Sequence, residues 1–379
     1  MPRRGRDEGN IYQRSDGRWT ARISLGYQGG RRVRKSLYGK TRKEVQDKLV
    51  AAQRSLQLGM TPTRNGRLTL GAYLEEWLAE SVLPSVRRTT FRSYEQLLRV
   101  HVLPDLGRLT LAKLGPDDVQ RLLNRKQAEG LSPRTVSHIR AVLRRALNVA
   151  QRWDLVPRNA AALASPPRVP RYQVPALDPE AARAILRAVT GDRFEALFVL
   201  ALATGLRQGE CLGLRWEDVD LDAGTLYVRN ALQRVGGQPQ LVEPKTSLSR
   251  RTLALPHPAV VALRTHRLRQ HQDRLLAGAR WRDQRFVFCT LVGTPADGPA
   301  VTRRFKHLLA EAGLPAMRFH DLRHGCASLL LAQGVSPRVV MEILGHSQIS
   351  LTMNTYAHVI PSLKRDAAEQ MATLLASHL

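Results

Sequence analysis

The sequence predicts a multidomain chain, mainly α with small β-sheets, and three observations predict it. Near the N-terminus a period-two alternation runs through Trp19-Thr20-Ala21-Arg22-Ile23-Ser24-Leu25. Between 68 and 155 apolar residues recur at helical spacing, and beyond a proline-containing stretch at 157–177 helices alternate with a strand-rich insert.

The alternation places Trp19, Ala21, Ile23 and Leu25 on one face, as in a half-buried strand. Turn residues at 26–30 lead to a second strand, with Val33 and Leu37 on one face and Arg32 and Arg34 on the other. Thr41 can cap a following helix through Leu56, and the expected architecture of 1–60 is a small three-stranded sheet plus helix. The next segment, 61–156, reads as helical. Its stripes are Leu70-Tyr73-Leu74-Trp77-Leu78, Val119-Leu122-Leu123 and Val136-Ile139-Val142-Leu143-Ala146-Leu147. Pro116-Asp117-Asp118 and Ser132-Pro133 mark helix starts. Pro166-Pro167 and Pro170 lie in a stretch with no apolar period, so 157–177 reads as a semi-extended linker. Asp178-Pro179-Glu180 then caps the first helix of 178–379, which holds strands from Leu226 to Leu255.

The charge points to the partner. Arginine and lysine total 59 against 32 acidic residues, a net +27, which selects a polyanion and nucleic acid first. Aromatic residues are 5% of the chain, too few for a base-stacking platform, so duplex DNA fits better than a single strand. Cys211, Cys289 and Cys326 form no C-x-x-C pair, which indicates neither a disulfide framework nor a cysteine zinc site and suits a reducing cytosol. The N-terminus lacks an apolar signal region, and no apolar run reaches the ~18–20 residues of a membrane span. The expectation is a cytoplasmic, nucleoid-associated protein with no membrane partner.

Three stretches carry chemistry. The first is Thr204-Gly205-Leu206-Arg207-Gln208-Gly209-Glu210, where a buried helix ends at Gly205 and a short turn presents Arg207. The second is His320-Asp321-Leu322-Arg323-His324, whose His320, Arg323 and His324 share one helical face. The third runs from Leu344-Gly345-His346-Ser347, where Gly345 ends a helix begun at Ser336-Pro337, to Tyr356. A phosphodiester carries a full negative charge and gains more on its non-bridging oxygens under attack. Arg207 and Arg323 suit it, because a guanidinium stays protonated and offers a rigid fork of donors. Tyrosine, with a pKa of about 10, needs electropositive surroundings or a base to act as a nucleophile. His320 and Glu210 are candidates to assist Tyr356. The two histidines one turn apart also resemble a zinc helix, but aspartate replaces the glutamate base, Arg323 would set a cation beside a dication, and no third ligand follows.

This ordered set resembles the tyrosine recombinases, or phage-type integrases. The resemblance covers the whole catalytic half in the family's order, and the amino-terminal half in architecture only. It implies an arm-type DNA-binding domain at 1–60, a helical core-binding (SAM-like) domain at 61–156 and an α+β tyrosine-recombinase catalytic domain at 178–379. It makes Tyr356 the nucleophile of a site-specific DNA recombinase that cleaves and rejoins duplex DNA through a 3′-phosphotyrosine intermediate. Arg207, Arg323 and His346 would hold the phosphate, His320 would move a proton, and Glu210 and His324 would support the site. Lys245, in Glu243-Pro244-Lys245-Thr246 and read as a hairpin tip, would protonate the leaving 5′ oxygen. Candidate DNA contacts are Arg32, Arg34, Thr89, Arg92, Arg134, Arg140 and Arg144. No cofactor and no catalytic metal is expected. The resemblance further implies a homotetramer on DNA attachment sites, with a directionality factor or host DNA-bending protein as a possible partner, and a segment at 361–379 docking on a neighbouring subunit. A type IB-like topoisomerase or resolvase would share the chemistry, and a non-enzymatic DNA-binding protein would share the charge and fold.

Overall fold

The computed structural model describes residues 10–28, 31–57, 68–170, 177–243 and 250–345, together with 368, 371, 372 and 375. The chain divides into two compact units, 1–171 and 172–379.

In the first unit β1 (Asn10–Gln13), β2 (Trp19–Gln28) and β3 (Arg31–Gly39) form an antiparallel sheet in that order. Gln13 pairs with Trp19 and Trp19 with Gly39, and the β2–β3 register shifts between Ser24 and Tyr27. The alternation in β2 decides which face is covered. Ala21 and Ile23 pack on Val45 and Leu49 of α1 (Arg42–Gln57), while Arg22 and Arg34 are exposed. Thr41 caps α1 as expected: its Oγ1 accepts from the Glu44 N–H at 3.2 Å, and the Glu44 carboxylate accepts from the Lys40 N–H at 2.8 Å.

A helical core follows. It is built from α2 (Leu70–Trp77), which runs into a π turn at Leu78–Val82, α3 (Arg88–His101), α4 (Leu103–Leu106), α5 (Pro116–Ala128), α6 (Pro133–Arg152) and α7 (Ala160–Leu163). Every apolar position named above for the stripes of this segment is buried, each valine, leucine or isoleucine contributing roughly 1.5–3 kcal/mol. The Tyr73 hydroxyl donates to the Ala146 carbonyl at 2.6 Å, so its one polar atom is satisfied inside that core. Helix starts fall where the sequence set them. The Asp118 carboxylate accepts from the Gly115 N–H at 2.9 Å, and Ser132 Oγ accepts from the Thr135 N–H at 3.2 Å.

The second unit begins with α8 (Pro179–Val189), whose cap Asp178 accepts from the Ala181 N–H at 2.7 Å. Next come α9 (Glu195–Thr204) and α10 (Gln208–Leu212), then the strand region: β4 (Val219–Asp220), β5 (Thr225–Val228), β6 (Ala231–Val235), β7 (Gln238–Val242) and β8 (Arg251–Ala254). One sheet has the order β4-β5-β8, and β6 pairs only with β7 among the described strands. The remaining helices are α11 (His257–Ala277), α12 (Gly298–Glu311), α13 (Phe319–Ala332) and α14 (Pro337–Leu344). Helix α9 is apolar on all sides and lies at the centre, with Phe198 against Phe305 and Phe319 at ring separations of 5.0 and 6.2 Å.

The strand order corrects one expectation. Lys245 itself lies outside the described residues, but its flanking strands β7 and β8 pair with different partners, in different sheets. Among the described residues β7 and β8 are therefore not the two paired strands of one hairpin. Alternation locates strands but carries no information on which strand each will pair with.

Candidate active site

Helix α9 stops at Gly205, which has φ of 65°, the left-handed conformation that ends helices. A side chain there would also collide with Leu344 and come within 3.4 Å of Cys326 Sγ. Two residues on, Arg207 stands at the N-terminus of α10, and Glu210 fixes it twice. The carboxylate accepts from the Arg207 backbone N–H at 2.9 Å and from its Nη1 at 2.7 Å. Glu210 is 4% exposed, so this is no solvated surface pair. Burial raises its pKa, but Arg251, Arg207 and the hydrogen bonds from Arg207 outweigh that and hold it below the usual carboxylate range.

The second arginine is deeper. Arg323 on α13 is 2% exposed and donates from Nη1 to the Gly205 carbonyl at 2.6 Å and from Nη2 to the Leu344 carbonyl at 2.7 Å. Arg207 reaches the same helix end, donating from Nη2 to the Gly345 carbonyl at 3.2 Å. Helix α14 is capped at its start by Ser336 and ends at Gly345 with φ of 65°, as the sequence indicated. Its last carbonyls have no partners within the helix and carry the negative end of its dipole, which draws cations. The two arginines therefore converge immediately before His346.

His320 and His324 lie one turn apart on α13, with ring centroids 4.8 Å apart and planes at 89°. Protein crowding the His320 ring lowers its pKa, and His324, Arg323 and Arg318 add to this, to about 4; the nearby Asp321 opposes it. His320 is nonetheless exposed to solvent. Burial also lowers the pKa of His324, with Asp321 opposing and Arg318 and Arg323 reinforcing. Both rings are neutral near pH 7. Asp321, 1% exposed, accepts from the Arg318 backbone N–H at 2.8 Å and caps α13. Among the described residues no three His, Cys, Asp or Glu side chains are placed to share a metal ion.

Arg207, Glu210, His320, Arg323 and His324 thus belong to one neighbourhood of the second unit. Lys245, His346 and Tyr356 lie outside the described residues, as does 361–379 apart from 368, 371, 372 and 375. Of the candidate DNA contacts, Arg34 on β3, Arg92 on α3 and Arg134 and Arg144 on α6 are exposed, and Thr89 on α3 is half-buried. The Arg32 side chain is outside the described residues. Arg140 is half-buried and donates from Nε to the Ala164 carbonyl at 2.7 Å and from Nη2 to the Ala162 carbonyl at 3.0 Å. Helix α7 ends there with carbonyls in need of donors, which sequence spacing on α6 does not reveal.

One residue at the site entered the sequence reading only as part of the Pro-Lys-Thr…Ser-x-Arg pattern around Lys245, with no role of its own. Arg251 on β8 donates from Nε to the Ile343 carbonyl at 2.7 Å and approaches Glu210 with Nη2 at 3.3 Å. A signal for it exists in the strand pattern. Arg251, Leu253 and Leu255 alternate, and the two leucines are buried, so Arg251 is a cation on an apolar face.

Arginines clustered near a buried acid and neutral histidines are side chains whose chemistry suits a phosphodiester. The "Phage integrase family" model matches residues 176–362, and "Phage integrase, N-terminal SAM-like domain" matches 69–127. A tyrosine recombinase XerC-like protein of Caldanaerobacter subterraneus subsp. tengcongensis is 31% identical over 92% of this chain and 93% of its own length. An integrase of Streptomyces ambofaciens is 33% identical over 93% of each. Among solved structures, the Tn1549 transposon integrase in complex with a circular intermediate DNA superposes with a TM-score of 0.68 at 23% identity, covering 80% of this chain and 99% of that one. The lambda integrase tetramer bound to a Holliday junction gives 0.58 at 18%, covering 90% and 96%. These two share the fold. The chain belongs to the phage integrase family of tyrosine recombinases and is a site-specific DNA recombinase. No helix among the described residues is long and apolar enough to cross a membrane.

Proposed function

We propose that Tyr356 is the nucleophile of this recombinase. Its phenolic oxygen attacks a DNA phosphate, the bond from phosphorus to the 5′ oxygen breaks, and a 3′-phosphotyrosine forms. Lys245 gives a proton to the leaving 5′ oxygen. The 5′ hydroxyl of a second strand then attacks the phosphotyrosine and restores Tyr356. The covalent intermediate keeps the free energy of the phosphodiester, so strand joining needs no separate energy source. Arg207 and Arg323 hold the non-bridging oxygens as charge grows on them, with His346 as a further donor. His320, neutral near pH 7, accepts a proton from the attacking phenol, and Glu210 and His324 hold the neighbours of that step.

The observation that carries this reading is the convergence of Arg207 and Arg323 on the end of α14, directly ahead of His346, which precedes Tyr356 by ten residues. We assign 1–60 to arm-type DNA, 61–156 to core DNA and 178–379 to catalysis, with 157–177 as the linker. The working unit is a homotetramer on two duplex attachment sites, integrating or excising a mobile element in the cytoplasm, with a directionality factor or host DNA-bending protein as partner. The test is covalent capture: wild type and Tyr356→Phe are incubated with a library of nicked duplexes and denatured in detergent, and attached DNA is sequenced. Attachment by wild type alone supports the assignment. Equal attachment by Tyr356→Phe, or none by wild type despite DNA binding, overturns it.

A further inference from the structure

Helix α14 ends in three successive carbonyls, at Ile343, Leu344 and Gly345, and a different arginine donates to each: Arg251, Arg323 and Arg207. Two of the three are assigned to the phosphate. The third, Arg251, is fastened at both ends of its guanidinium to groups that themselves control the other two. Its Nε holds the carbonyl next to the one bound by Arg323, and its Nη2 lies 3.3 Å from Glu210, the acid that orients Arg207. Its side chain is 8% exposed, so its attractions are little screened by water.

We infer that Arg251 is a positioning residue for the strand-cleavage step, setting Arg207 through Glu210 and setting the end of α14 that leads into His346 and Tyr356. This rests on the proposed function. Glu210 sits between two guanidiniums and is drawn to both. Without Arg251, its carboxylate would be free to rotate toward Arg207 alone, carrying that guanidinium off the position it needs. The Ile343 carbonyl would lose its donor, and the helix end could shift relative to Arg323. Arg251 also begins β8, the strand entered directly after the segment containing Lys245, and lies opposite Val228 of β5. A displacement of β8 would therefore reach that lysine's segment too. Arg251 acts on the reaction only through these neighbours.

Lysine keeps the charge at this position but cannot present two fixed donors in a plane, so Arg251→Lys is the informative substitution. It is compared with wild type by single-turnover cleavage of a nicked duplex recovered by covalent capture, at saturating DNA, with DNA affinity and thermal midpoint measured alongside. The cleavage rate should fall about 10²-fold, as for a small misplacement of catalytic groups, with DNA affinity unchanged. In a Glu210→Gln background, the same substitution should cost far less, because the link through which it acts has already been weakened. Wild-type cleavage by Arg251→Lys overturns the inference. So does a loss of cleavage, affinity and thermal midpoint together, or an undiminished loss in the Glu210→Gln background. Failure of wild type itself to form an adduct is a separate result, since it overturns the recombination chemistry on which the inference depends.

Discussion

Arg323 joins two distant stretches of chain, donating to the carbonyl of Gly205, 118 residues before it, at 2.6 Å while its other terminal nitrogen holds Leu344 at 2.7 Å. One guanidinium thus ties the end of α9 to the end of α14. Arg207 reaches the same region with 39% of its side chain exposed. The two arginines share an assigned task but differ in what the fold asks of them.

That difference is measurable. Arg323→Lys leaves at least one buried carbonyl without a donor, a loss of roughly 1–3 kcal/mol, so both the unfolding midpoint and cleavage should fall. Arg207→Lys should lower cleavage by about 10²–10³-fold, as for loss of one transition-state donor. Its unfolding free energy should change by less than about 1 kcal/mol, since the residue is partly solvated and lysine can still pair with Glu210. Denaturant unfolding and single-turnover cleavage on both variants check this. Equal destabilisation by the two would contradict the division of roles.

Gly205→Ala tests the joint between α9 and α10. An alanine at φ of 65° is strained, and its methyl would collide with Leu344. The expected loss is about 2 kcal/mol or more, from backbone strain plus overpacking. Urea unfolding gives the number. An unchanged midpoint would mean that the helix end is not packed as described.

The histidine pair makes a prediction about pH. The pKa of His320 is lowered to about 4, so in the DNA-free protein its ring should stay neutral well below the ordinary histidine range. For a base whose folded pKa is depressed, stability is fully present above the unfolded value of about 6.5 and is lost as pH falls from there toward 4. His324→Gln removes one of the causes, so the His320 titration should move up in pH. NMR of the imidazole protons, read residue by residue, follows this directly. A His320 midpoint near 6.5 in wild type would mean that the ring is not crowded by protein and cations as described.

Much of this was legible in local sequence, because the signals are themselves local. Ser132, Asp178 and Ser336 cap the helices they precede, and Gly205 and Gly345 end helices in the left-handed conformation. The apolar stripe of α6 is buried along its length because 3.6-residue periodicity marks a face whatever it packs against. Illegible were the contacts between distant segments. Nothing near Arg140 announces that α7 will bring the Ala162 and Ala164 carbonyls to it. Nothing in 243–251 tells that β7 and β8 join different sheets. The link from Arg251 to Ile343 spans 92 residues, and only the burial of its strand neighbours hinted at it.

The contrast among the arginines of α6 yields a test of DNA contact. Arg134 and Arg144 are exposed, whereas Arg140 holds the backbone of α7 and its neighbour Ala164. A residue that neutralises a phosphate releases a counterion, so Arg134→Ala and Arg144→Ala should each weaken binding at all sequences and reduce the slope of log affinity against log salt by about 1. Arg140→Ala should act on folding instead. It leaves two carbonyls without that donor and should lower the stability of the first unit by about 1–3 kcal/mol, with no change in salt slope once binding is measured on folded protein. Titrations at several salt concentrations, paired with thermal unfolding, separate the two outcomes. A reduced salt slope for Arg140→Ala at unchanged stability would place that arginine against DNA and assign its hydrogen bonds to the DNA-free state alone.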